Sequence, residues 1–129
     1  MFDRVFYSRN IVRLLFVPAV VVIAAFALLP DIRLPPFLNW GKHSDLLYHV
    51  LAFLLLTAMA ALSMRQVLPG VMAMALLAVV LECLQTFVPG REVFWSDLVA
   101  SLAGVILGAM LAWLAIYPWR GRLRTARLT

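Results

Sequence analysis

Four apolar runs constrain this chain more than any other feature. They cover residues 14–29, 46–63, 69–88 and 98–117 and are separated by short stretches rich in Pro, Gly and charge. Each is close to the ~20 residues that a helix needs to cross about 30 Å of hydrocarbon. In lipid, a spanning segment must satisfy its own backbone polar groups, which an isolated run achieves only as an α-helix. The chain therefore predicts an all-α integral membrane protein: one compact four-transmembrane-helix domain over residues 1–129. Composition agrees, with only 13% charged residues where a soluble domain carries about a quarter.

The breaks between runs are clear. Pro18 is placed to kink the first span, and Pro30-Asp31 ends it. A turn-rich loop with Pro35-Pro36, Asn39, Gly41 and Lys42 leads to the second span. Arg65-Gln66 makes a tight connection, Pro69 suits a helix start, and Pro89-Gly90 breaks the third run. No internal repeat or low-complexity segment is present. The basic head, apolar stretch and Ala25-Phe26-Ala27 also fit a secretory leader. However, the run continues past that candidate cut to Leu29, and losing it would leave three spans with an inverted first helix.

The net charge of +5 does not indicate nucleic acid, because no basic helix face or aromatic-interleaved groove accompanies it. With four spans, one side collects Arg4, Arg9, Arg13, Arg65, Arg120, Arg122, Arg124 and Arg127, and the other only Arg33, Lys42 and Arg91. Cytoplasmic loops carry the excess of Lys and Arg, so both termini are expected in the cytoplasm. Trp40 and Trp95 then lie at the outer boundary, with Trp113, Tyr117 and Trp119 toward the inner one. The single cysteine, Cys83, can form no internal disulfide and belongs to no CxxC arrangement. It is expected to be a small buried hydrophobe.

This topology gathers the polar residues at the outer end. Asp45 opens the second helix, where it or Ser44 could cap, and His49 lies one turn in, on the same face. Glu82 and Gln85 share a face near the end of the third helix. Arg91 and Asp97 flank the last loop, Asp97 being placed to cap the fourth helix with Ser101 a turn below. A charge near the centre of a span costs roughly 2.5–3.5 kcal/mol, so several such groups on one side favour a site facing a polar ligand. The same groups also read as interhelical adhesive, worth about 0.6–2 kcal/mol per contact. Glu82 and His49 form the candidate acid/base or ligand-orienting pair. A carboxylate and an imidazole are weak support for zinc, so no metal is expected, and His43 reads as a solvated loop residue. Ser101 with His49 and an acid lacks any nucleophile-elbow motif. No recognised nucleotide motif is present, and the cofactor is unknown. Ala100, Gly104, Gly108 and Ala112 form a small-residue stripe that admits a close helix, either within the chain or from a second copy as a homo-oligomer.

Three segments, taken in order, carry a resemblance. Asp45-Leu46-Leu47-Tyr48-His49-Val50-Leu51-Ala52-Phe53 is similar to an Asp-Lys-x-x-His-x-x-Ala-Phe pattern. Glu82-Cys83-Leu84-Gln85-Thr86-Phe87-Val88-Pro89-Gly90-Arg91 matches Glu-x-x-Gln-x-Phe followed by Pro-Gly-Arg. Asp97 with Gly104 and Gly108 completes it. Over roughly residues 40–113 the chain resembles the VanZ-like family of membrane proteins, named for a teicoplanin-resistance accessory protein. Leu46 stands where that pattern usually has Lys, and Ser101 where it usually has Asn; if that lysine binds an anionic group, either Lys42 substitutes from the loop or this member lacks the function. The resemblance implies a polytopic inner-membrane protein linked to the cell envelope and to glycopeptide (teicoplanin) antibiotic resistance, but it supplies no reaction. The leading expectation is an outward-facing pocket for an envelope-related, lipid-linked or anionic ligand. Arg91 and Lys42 would meet its phosphate or carboxylate, and Asp45 and Asp97 would hold His49 and Arg91. The alternatives are an acid/base enzyme acting on a lipid-linked precursor and a small proton-coupled transporter.

Overall fold

The computed structural model describes residues 2–29, 43–64, 66–90, 92 and 94–125, with side chains described only between residues 10 and 116 of these. The chain forms four helices: α1 (Phe2–Leu28), α2 (Ser44–Ser63), α3 (Val67–Gln85) and α4 (Trp95–Thr125). There is no strand among the described residues. All four helices contain a segment long and apolar enough to cross a membrane, namely Asn10–Leu28, Ser44–Ser63, Val67–Gln85 and Trp95–Ile116.

The helix ends differ in detail from the sequence expectation. The basic head is helical, so α1 and its Pro18 lie in one continuous helix. Pro69 is the third residue of α3 rather than its first, still among the N-terminal positions whose N–H has no intrahelical partner. α3 stops at Gln85, three residues before the expected end, and Thr86 closes its last turn by donating from Oγ1 to the Cys83 carbonyl at 2.6 Å. The N-cap position of α2 is His43, so neither Ser44 nor Asp45 caps it, and Asp45 sits in the first turn. Asp97 is likewise inside the first turn of α4, which begins at Trp95. Both carboxylates still lie where the positive end of the helix dipole favours them.

The centre of the bundle is the α2–α4 contact. A Cβ added at Gly104 would lie 2.4 Å from the Val50 carbonyl oxygen, and one at Gly108 would lie 2.5 Å from that of Leu54. Only glycine lets the two backbones approach so closely, and the matching four-residue steps show that α2 and α4 run parallel. Ala100 and Ala112 are buried along the same stripe. The stripe is thus taken up within the chain, and Gly104 and Gly108 present no open face to a second copy. Gly70 plays a similar part at the start of α3, where an added Cβ would meet the Ala60 carbonyl carbon at 3.2 Å.

Phe53, Leu56, Ala60, Met74, Ala78, Leu81 and Val105 form the core, with Phe16, Val20 and Ile23 of α1 packed on its edge. α1 is fastened near its middle and at its C-terminal end by side-chain hydrogen bonds that use helix-terminal carbonyls. Arg13 Nε donates to Ser63 O, at the end of α2, at 2.9 Å. Gln85 Nε2, at the end of α3, donates to Ala27 O at 3.1 Å. The last carbonyls of a helix have no intrahelical donor, so each bond satisfies an otherwise orphaned acceptor. Cys83 is exposed rather than buried, because the helical step of 100° from Glu82 turns it outward.

Candidate functional site

The first turns of α2 and α4 and the last turn of α3 meet at one end of the bundle. His49 lies one turn inside α2 because α2 starts at Ser44. The close α2–α4 approach at Gly104 brings Ser101, three residues earlier, up to the histidine, with Ser101 Oγ 3.0 Å from His49 Nδ1. α3 delivers Glu82 from the third side, with Oε1 3.4 Å from the same Nδ1. Ser101 is fully buried, and Glu82 and Gln85 are buried as well. One helix each therefore contributes a hydroxyl, an imidazole and a carboxyl to a single contact set.

The geometry restricts the chemistry. A serine nucleophile needs the base on one ring nitrogen and the acid on the other. Here both groups approach Nδ1, and Ser101 has no exposed surface, so the trio is not a nucleophilic relay. The Glu82 contact is longer than a well-formed hydrogen bond of 2.7–3.2 Å, which makes it an electrostatic pairing through which a proton can be shared. Ionised or neutral as a pair, His49 and Glu82 carry no net charge, and this lowers the cost of placing them in a span. Among the described residues no three His, Cys, Asp or Glu side chains come together to hold a metal ion.

Beside this contact set lies a cleft of about 1160 Å³. Asp45, His49, Glu82, Gln85 and Asp97 all line it, so five of the eight residues nominated from sequence share one cavity. Ser101 is not on the wall but behind His49, which it holds. Lys42 and Arg91 lie outside the described residues. Gln85 spends its amide nitrogen on Ala27 O, so it fixes the α1 wall as well as lining the cleft. Asp97 Oδ1 accepts from Ser96 Oγ at 3.4 Å.

The cleft also has walls that sequence reasoning passed over, Tyr48, Glu92 and Ser96, and His43, read as a solvated loop residue, is exposed at its edge. Tyr48 had a signal, a phenol next to His49 in an apolar run. Glu92 had none beyond its place in the loop.

Four apolar helices of membrane length, with an imidazole, a carboxyl and a hydroxyl joined at one end, define a multi-pass membrane protein with an internal polar site. A family model described as VanZ/LLP1 matches residues 5–116, and the chain belongs to that family. The match takes in all but the first three residues of α1 and every nominated site residue. No curated protein and no solved structure gives a match.

Proposed function

We propose that the cleft is a binding site for an envelope-related, lipid-linked or anionic ligand. In this reading the whole chain is one VanZ-like domain in the inner membrane, with both termini cytoplasmic and the cleft facing outward. The observation that supports it best is the convergence of the buried Glu82 and Gln85 with His49 on one cleft. Glu82 and His49 orient the ligand's polar groups or move a proton, Ser101 positions His49, and Arg91 and Lys42 supply positive charge for a phosphate or carboxylate. Asp45 and Asp97 hold the edge of the site.

A site that holds a cell-wall precursor lipid changes what a glycopeptide antibiotic meets outside the membrane. Teicoplanin susceptibility is therefore the phenotype to measure. Glu82→Gln keeps shape and insertion but removes the carboxylate; it is expected to behave like a deletion while accumulating in the membrane at the wild-type level. A wild-type phenotype at that level would overturn the proposal.

Acid/base turnover on a lipid-linked precursor is the second reading, favoured by the Glu82–His49 contact at 3.4 Å. Turnover by purified protein that disappears in Glu82→Gln would establish it. A proton-coupled transporter fits less well, because the described polar contact set occupies one end of the bundle only. Flux in proteoliposomes insensitive to Glu82 and His49 substitution would dismiss it.

A further inference from the structure

The cleft has an apolar part as well as a polar one. Phe26 of α1 and Leu51 and Leu55 of α2 line it, and they are 53%, 50% and 51% exposed. In a membrane-spanning bundle, apolar side chains exposed at this depth face acyl chains. Asp45 and Leu55 are ten residues apart on one helix, which is ~15 Å at 1.5 Å per residue, or half of the roughly 30 Å hydrocarbon layer. Toward the helix ends of the same cavity stand His49, Glu82 and Gln85, the last two only 7% and 2% exposed, with Phe26 at that level beside Ala27, the acceptor of the Gln85 bond, and Leu51 and Leu55 deeper along α2. One groove thus runs from polar groups near a membrane surface to an apolar wall that ends near mid-bilayer. A water-soluble anion would use only the first part. A molecule with one polar head and one leaflet-length chain uses both.

We infer that the cleft is a lateral portal between α1 and α2 that admits a single-leaflet membrane amphiphile sideways from the bilayer, its head at His49 and Glu82 and its chain along Phe26, Leu51 and Leu55. The inference rests on the binding function proposed above and narrows its ligand class to a lipid. The Gln85–Ala27 bond fixes the end of α1 beside the polar groups, so the chain lies against the face of α1 rather than passing over its end.

Native mass spectrometry of the full chain, extracted in mild detergent, tests this with two pairs of variants. Leu51→Trp and Leu55→Trp fill the groove from its lipid-facing wall and touch none of the polar groups. Leu76→Trp and Leu107→Trp place the same ring on exposed faces of α3 and α4 that do not line the cleft. Wild type is expected to retain one lipid per chain. Its occupancy should fall roughly tenfold in the first pair, as when a bulky ring overpacks a groove, and stay unchanged in the second. Wild-type occupancy in Leu51→Trp and Leu55→Trp, or an equal loss in the control pair, would overturn the portal. Should wild type retain no lipid yet bind inorganic phosphate in an Arg91-dependent way, the portal falls and the anionic-ligand function stands. If wild type holds neither lipid nor phosphate, the binding function falls and takes the portal with it.

Discussion

Gly104→Ala is the most informative single-methyl change in the bundle. The added Cβ would lie 2.4 Å from the Val50 carbonyl oxygen, 3.0 Å from Phe53 Cβ and 3.1 Å from the Leu54 nitrogen. Two of these three are backbone atoms, which cannot swing aside as a side-chain tip can. Restoring ordinary contact requires α2 and α4 to separate by about 1 Å, a gap that forfeits a quarter to a half of each affected dispersion contact. Overpacking of this kind costs about 1–3 kcal/mol. Alanine's better helix propensity returns about 0.8–1.0 kcal/mol. Because the clash is with backbone, the upper part of the range applies, and a net loss of about 1–2 kcal/mol is expected. Reversible unfolding in mixed detergent micelles, followed by helicity, measures it. The site should respond too, since Ser101 is three residues from Gly104 and an extra ångström would break its 3.0 Å contact with His49. A Gly104→Ala protein as stable as wild type or more so would show that propensity outweighs packing, and that glycine is not needed for the α2–α4 approach.

Other changes act at single contacts. With Glu82 ionised, the carboxylate only accepts and the hydrogen of its contact with His49 sits on Nδ1; ¹⁵N NMR of labelled histidine is expected to find that nitrogen protonated, and an Nε2–H tautomer would instead put the proton on Glu82 and make the pair neutral. Gln85→Leu removes the donor to Ala27 O and is expected to cost about 0.6–1.7 kcal/mol, read as faster hydrogen exchange confined to the last turn of α1. Gln85→Glu should be no better, since an ionised carboxylate cannot donate. Arg13→Ala takes the donor from Ser63 O and should loosen the middle of α1 against the end of α2, with faster exchange near residue 13 and the last turn of α2 as the readout.

Much of this arrangement can be read in the sequence because membrane constraints are severe. Length and hydropathy alone locate all four helices, and a short list of polar residues in apolar runs leads to Glu82, His49 and Ser101 on three different helices. What stays hidden depends on rotation about helix axes. In α3 nearly every side chain is apolar, so no contrast marks the inward face, and Cys83 turns outward against expectation. Gln85 reads as a ligand contact from its spacing with Glu82, yet its amide reaches a carbonyl on α1, a partner with no sequence signature. Helix ends shift for a similar reason: Thr86–Val88 is apolar enough to continue α3, but the turn leading to Gly90, with its φ of 78°, closes it early. The glycine stripe marks a close contact, and only the fold shows that α2 fills it.

In the proposed function the polar cleft holds an envelope lipid through Glu82 and Arg91. The most direct test of that function is mass spectrometry of the lipids retained by wild-type protein and by the Glu82→Gln and Arg91→Ala variants, purified side by side. One lipid species is expected to be enriched in wild type and lost from both variants while bulk phospholipid is unchanged. Identical lipid profiles in all three proteins would contradict it and return Glu82, His49 and Ser101 to a purely structural role.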